Sequence, residues 1–338
     1  MMEHTSRNQI QINADLVRCV AISMVVMLHI SANSFASFGD NWTISLIYDS
    51  LTRSCVPLFF MLSGALLLNK NESPFIFYKK RLSKIVVPLI FWSYFYLVYR
   101  KYYVGEEALS LSPITILGGP VYYHLWFLYS IISLYIFIPI LRYYSINASR
   151  EVKILVLSIW FAFQSVNPFM SYAGFDLPLG LDLGLVSRFT GFALLGEFLV
   201  STKTTCNNKS LMAMFLASTI ATACLTYYTT FNTGSPNEIW FQYHSPFVVI
   251  SSVCIFKILS TSKIETGIIK SISKFSFGIY FVHIVIMQQV LVRFIFTPET
   301  FNSTSLLYLI PLGSVLCISI SLIICAIISK VAFIRRVI

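Results

Sequence analysis

The chain has 338 residues, 57% of them hydrophobic and only 11% charged, with a mean hydropathy of +0.75 and a formal net charge of +10. A soluble fold of that length carries roughly a quarter of its residues charged, so the composition excludes one and points to a multi-span membrane protein. The positive charge does not mark a nucleic-acid binder, because Lys and Arg are scattered over short connections between apolar runs.

Ten apolar runs follow in chain order: 16–38, 51–68, 82–99, 125–141, 152–169, 186–200, 211–230, 243–259, 272–296 and 306–333. The long ones reach the ~20 residues that cross a bilayer core as helix. Their continuous Phe, Leu and Ile runs lack the alternation of a membrane β-barrel. The sixth is short and contains Glu197. No long hydrophilic stretch interrupts the series, so residues 1–338 are expected to form one membrane domain. The expected fold is an all-α integral membrane bundle of about ten transmembrane helices. With the N-terminus in the cytoplasm, 18 Lys and Arg fall in cytoplasmic connections, and 5 (Arg53, Arg100, Lys101, Arg188 and Arg293) fall on the opposite side. That bias follows the positive-inside rule and predicts both termini in the cytoplasm. The seven Cys form no Cys-x-x-Cys pair and have no His at metal spacing, so no metal site is expected.

Ionisable groups inside apolar runs carry the functional signal, because burying one costs several kcal/mol (about 2.5–3.5 by insertion scales) unless it is paired or faces a wet cavity. The first run holds Asp15, Arg18 and His29. Asp15 and Arg18 are three apart and share a helix face, which allows an ion pair. Arg18 and His29 are eleven apart, close to three turns, so they share a face about 16 Å apart along the axis. One stripe therefore links the cytoplasmic surface to a deep imidazole. A neutral imidazole serves as general base near neutral pH, and an arginine at the mouth can hold a phosphate.

In the second run, Ser63 and Gly64 permit close helix contact. Ser63 has no activating motif, since Gly-x-Ser-x-Gly is absent. The basic loop Lys79-Lys80-Arg81-Leu82-Ser83-Lys84 follows. Arg81 abuts the third run and is the best second phosphate contact. The fourth run opens with Tyr122-Tyr123-His124-Leu125-Trp126-Phe127. These aromatics suit a membrane interface, and His124 with Trp126 equally suits a cleft for a sugar. Asp176, Asp182 and Arg188 are candidate polar contacts on the same side, and Glu197 needs a partner or water. The ninth run places Ser276, Tyr280 and His283 on one face. His283 is a second deep histidine able to pair with the first-run site.

These residues resemble the integral-membrane acyltransferase-3 family and, within it, the enterobacterial common antigen O-acetyltransferase type. The resemblance spans nearly the whole chain. It rests on Asp15-Leu16-Val17-Arg18 with Val25-Val26-Met27-Leu28-His29, on Val56-Pro57-Leu58-Phe59-Phe60-Met61-Leu62-Ser63-Gly64, on Tyr123-His124-Leu125-Trp126-Phe127, and on Ser276-Phe277-Gly278-Ile279-Tyr280 with His283. The resemblance implies a ten-helix bundle in the bacterial inner membrane that moves acetyl from acetyl-CoA to a hydroxyl of a surface or lipid-linked glycan. By the same resemblance Arg18 and His29 are the pair needed for activity. No esterase-like domain is attached, so a hand-over of acetyl to a second domain is not expected. The alternative class is a transporter or flippase for a glycan or small solute, which ten spans with buried polar residues also suit.

Overall fold

The computed structural model describes residues 12–39, 41–166, 169–170, 189–202, 206–296, 305–332 and 334–338. Among them every regular element is helical. The helices are α1 (Ala14–Ser37), α2 (Trp42–Thr52), α3 (Cys55–Leu67), α4 (Pro74–Arg81), α5 (Ser83–Tyr99), α6 (Pro113–Leu117), α7 (Trp126–Asn147), α8 (Arg150–Phe161), α9 (Thr190–Ser201), α10 (Asn208–Thr233), α11 (Pro246–Thr261), α12 (Gly267–Ile286) and α13 (Leu306–Ser329). Merged where they run on, they give eight helical stretches long and apolar enough to cross a membrane, and α9 is a shorter apolar helix. The protein is thus an all-α, multi-span membrane protein. Of the expected spans, the fifth begins as α8, and residues 167–168 within it lie outside the described residues. The sixth is α9, with 186–188 likewise outside. Asp176, Asp182 and Arg188 fall there too.

The second span starts earlier than its hydropathy suggests. It runs from Trp42 to Leu67 with a break between α2 and α3 at Arg53 and Ser54. Asp49 and Arg53 depress the local hydropathy, yet both are buried and joined by a 2.9 Å ion pair. Ser31 also donates to Asp49 (3.3 Å), and the Arg53 guanidinium lies 4.1 Å from the centre of the Phe241 ring. Arg53 is therefore an intramembrane charge and not a loop residue, so it does not report orientation.

Helix α1 is central. Val17, Ala21, Ile22 and Val26 are fully or almost fully buried, and α1 packs on α2, α3, α12 and α13. Its start is fixed by Asn13, whose side-chain oxygen accepts from the Leu16 amide (3.0 Å) while its nitrogen donates to the carbonyls of Ser262 and Ile264. One residue caps α1 and ties it to the α11–α12 connection. Helices α3 and α9 pack through small residues. A Cβ on Gly64 would overlap the Ala193 backbone, and one on Gly196 would overlap the Met61 backbone. The close contact expected at Gly64 is thus made with α9. The outer surface is apolar, with Ile90 and Phe91 of α5, Ile140 of α7, Ile220 of α10 and Ile323 of α13 all exposed. Those faces are the ones a bilayer would cover.

Candidate active site

A cavity of about 650 Å³ lies inside the bundle. Its walls are stripes of four helices. Arg18, Val25 and His29 come from α1; Cys55, Phe59, Leu62, Ser63 and Leu66 from α3; Trp126, Phe127, Ile131 and Tyr135 from α7; and Ser276, Phe277 and Tyr280 from α12. Apart from the adjacent pairs Leu62/Ser63, Trp126/Phe127 and Ser276/Phe277, which widen the stripe, each set recurs at three- to five-residue steps or their multiples, so each helix offers one face. Lys70, Arg81 and Lys84 complete one end beside Arg18. Arg18 and His29 thus line the same space, separated by about 16 Å of helix. The cavity is cationic at its mouth, apolar along its length and imidazole-bearing at its depth.

The mouth charges are compensated but reachable. Arg18 lies 3.6 Å from Asp15, and their side chains are 36% and 46% exposed, so this pair holds Arg18 only weakly. Asp15 also accepts from Ser273 of α12 at 2.6 Å, which fixes the carboxylate rather than the arginine. Glu72, in the connection between the second and third spans, faces three cations: Lys80 at 3.2 Å, Arg81 at 3.6 Å and Arg142 at 3.8 Å. Partial burial would raise its carboxyl, but the Lys80 hydrogen bond and the charges of Arg81, Lys80 and Arg142 outweigh it and hold the group below the ordinary carboxylate range. Arg142 is buried in α7 and donates to the backbone carbonyls of Leu67 (3.1 Å) and Glu72 (2.6 Å). Its sequence position reads as loop charge, whereas its bonds anchor the mouth. Glu197 finds Lys153 (3.0 Å) and Asn69 (3.1 Å), partners 44 and 128 residues away in sequence that no local pattern reveals.

At the deep end three imidazoles gather. The His29 and His283 ring centres are 5.3 Å apart, and those of His124 and His283 are 5.8 Å apart. Nδ1 of His283 lies 2.9 Å from the Ile279 carbonyl. A carbonyl only accepts, so Nδ1 carries the proton and Nε2 keeps its lone pair. That Nε2 is buried and, like both nitrogens of His124, has no hydrogen-bond partner among the described residues. His29 is only partly buried, and it lines the cavity. On its other side it meets the edge of Tyr123, ring centres 5.4 Å apart, and Tyr123 is not part of the cavity wall.

Tyr280 donates to the His124 carbonyl at 2.7 Å and holds the start of α7 against α12. Trp126 stacks on Tyr243, ring centres 5.7 Å apart, and both line the cavity. The structure therefore brings Arg18, Arg81, His29, His124, Trp126 and Tyr280 to one cavity, with His283 behind His29 and Asp15 beside Arg18. Lys70, Lys84 and Tyr243 join them without having been singled out from the sequence. The two lysines look there like ordinary positive-inside charges, and Tyr243 like an interfacial aromatic. Among the described residues, no group of three or more His, Cys, Asp or Glu side chains is placed to hold a metal ion.

A bundle of apolar helices around a buried, histidine-bearing cavity with a cationic mouth defines a polytopic membrane protein built to receive a ligand that is anionic at one end. The sequence profile of the acyltransferase-3 family, described as an acyltransferase domain, matches residues 11–330, and the chain belongs to that family. It is accordingly a membrane acyltransferase. No curated protein and no solved structure matches the chain.

Proposed function

We propose that this acyltransferase moves acetyl from acetyl-CoA to a hydroxyl of a cell-surface or lipid-linked glycan at a bacterial inner membrane, with His29 as general base. The glycan assignment follows the resemblance to enterobacterial common antigen O-acetyltransferases. The observation that carries the mechanism is that Arg18 and His29 line one continuous cavity from a cationic mouth to a deep, partly exposed imidazole. The CoA phosphates sit among Arg18, Arg81, Lys70 and Lys84, where guanidinium forks suit phosphate oxygens. That face is then the cytoplasmic one. The pantetheine arm runs along Phe59, Leu62 and Phe277, and its reach matches the ~16 Å from Arg18 to His29.

A hydroxyl arrives from the face opposite the mouth. Its oxygen attacks the thioester carbonyl while a His29 nitrogen takes its proton. The carbon–sulfur bond breaks, the imidazolium returns the proton to the departing thiolate, and the products are an O-acetyl ester and free CoA. His283 acts as a positioning residue. Its Nε2 has no hydrogen-bond partner among the described residues and its ring centre lies 5.3 Å from that of His29, so a proton on the near side of the His29 ring would be favoured by it. The other His29 nitrogen is then left basic toward the cavity.

The test is to reconstitute the purified protein, supply labelled acetyl-CoA and candidate lipid-linked glycans, and analyse the glycans by mass. The expected result is one acetyl on a defined sugar hydroxyl. Exchange of labelled CoA into acetyl-CoA without any glycan distinguishes direct transfer from an acetyl-histidine intermediate. Direct transfer predicts no exchange.

A further inference from the structure

On the side of His29 away from the cavity, two interruptions of regular helix face each other. The third span leaves α5 through a π-helical turn, Arg100–Val104, and α12 passes into another, Met287–Leu291. Such turns swing side chains out of helical register and cluster at functional sites. Here they present a network of phenols and carboxamides. Gln288 Oε1 accepts from Tyr99 (3.2 Å) and Tyr122 (2.9 Å), Gln289 Oε1 accepts from Tyr103 (2.6 Å), and the Gln289 amide donates to Tyr99. The Tyr99 and Tyr103 rings stack, with centres 5.2 Å apart. Tyr103 and Tyr123 remain 51% and 49% exposed, so both stay reachable by a ligand although the Tyr103 ring is stacked on Tyr99 and carries Arg293 over it. Of the nearby charges, Arg100 is paired with Glu106, and Arg293 lies over the Tyr103 ring at 5.4 Å. Tyr123 links this shelf to the His29 ring.

Exposed aromatic residues beside fixed carboxamides match the chemistry of a pyranose. The axial C–H face of the sugar packs on a ring, and its hydroxyls exchange hydrogen bonds with amides and phenols. We infer that the shelf of Tyr99, Tyr103, Tyr122, Tyr123, Gln288 and Gln289 is the subsite that binds a pyranose unit of the acceptor and aims one hydroxyl past Tyr123 at His29. This inference rests on the transfer reaction proposed above.

Saturation-transfer NMR on the full chain in nanodiscs, with methyl glucoside, methyl mannoside and methyl N-acetylglucosaminide as probes, tests it directly. Acetyl-CoA binding is measured on the same samples. The expected result is binding of at least one glycoside by the native protein, with its Kd raised about tenfold or more in Gln289→Ala and in Tyr103→Ala. Tyr103→Phe, which keeps the ring, should lose less. Acetyl-CoA binding should persist in all three variants and also reports that they are folded. Two results would overturn the subsite: no glycoside binding by native protein that binds acetyl-CoA, or glycoside binding indifferent to both alanine variants. Native protein that binds a glycoside at the shelf but no acetyl-CoA would instead sink the acetyl-transfer reading.

Discussion

The two ends of the cavity carry polar groups of different kinds: ion-paired charges at the mouth and imidazoles at the deep end. On the mouth side Asp15, Glu72 and Glu197 each meet a cation, and Arg142 is further tied to two backbone carbonyls, although Glu72 Oε2 and Arg142 Nη2 face each other at 3.8 Å with an ion-pair contact and no hydrogen bond among the described residues. At the deep end His283 Nε2 and both His124 nitrogens have no hydrogen-bond partner among the described residues. An unsatisfied buried polar atom costs about 1–3 kcal/mol. Several in one place, beside a ring that opens to a cavity, call for a physical reason, and the reaction proposed above offers one, with a reactant supplying the missing partner. On the reaction proposed above, the mouth binds by exchanging one ion partner for another, and the deep end acts by having partners still to gain.

The deepest break of this contrast is His29→Ala. With the general base removed, transfer should fall by roughly 10³-fold, within the 10²–10⁴ that such catalysis contributes, while acetyl-CoA still binds at the mouth. Single-turnover transfer and equilibrium donor binding on the same membranes check both halves. Transfer retained at native rate would remove His29 from the chemistry.

The Asp49–Arg53 pair sharpens the contrast, because it is deep and buried yet fully compensated. Its role is structural. Arg53→Leu should lower stability by about 3–5 kcal/mol, since it strands the Asp49 carboxylate. Asp49→Leu combined with Arg53→Leu should restore much of that loss, because no uncompensated charge remains. Thermal unfolding in a mild detergent reads the difference. A double variant as unstable as the single one would mean the pair contributes more than mutual neutralisation.

At the mouth the effects are smaller and fall on binding. Arg18→Ala should raise the donor KM about ten- to a hundredfold, or ~1.4–2.8 kcal/mol, with kcat nearly unchanged. Exposure of both partners makes the lost Asp15 contact a minor part of the effect. Equal losses in kcat and kcat/KM would instead place Arg18 in the transition state.

The sequence carried the axis of this site but not its cross-section. Spacing along one helix is local, so the shared face of Arg18 and His29, the polar stripe of Ser276, Tyr280 and His283, and the small-residue contact at Gly64 can all be read directly. Contacts between helices are not local. The meeting of Lys153 with Glu197, and of Arg142 with Glu72, depends on how α7, α8 and α9 pack. Arg53 and Arg142 look like topology signals because a charge beside an apolar run usually is one. Only their partners reveal that they are structural. The same holds for Gln288 and Gln289, which look unremarkable until two widened turns face each other.

Glu72 gives the finest test of the mouth, because it competes with any phosphate for Arg81. Glu72→Gln should lower the donor KM a few-fold while reducing thermal stability, a gain in binding and a loss in folding from one charge. Acid should act in the same direction. The folded-state carboxyl lies below its ordinary value, so its contribution to stability is complete above the unfolded value of about 4.3 and is lost as pH falls through the lower folded value. Thermal unfolding from pH 7 down to about 3 should therefore show a low-pH loss that is smaller in Glu72→Gln than in the native protein. If the two curves fall in parallel, the cations at the mouth are held by something other than this carboxylate, and the exchange between Glu72 and phosphate is not how the donor is received.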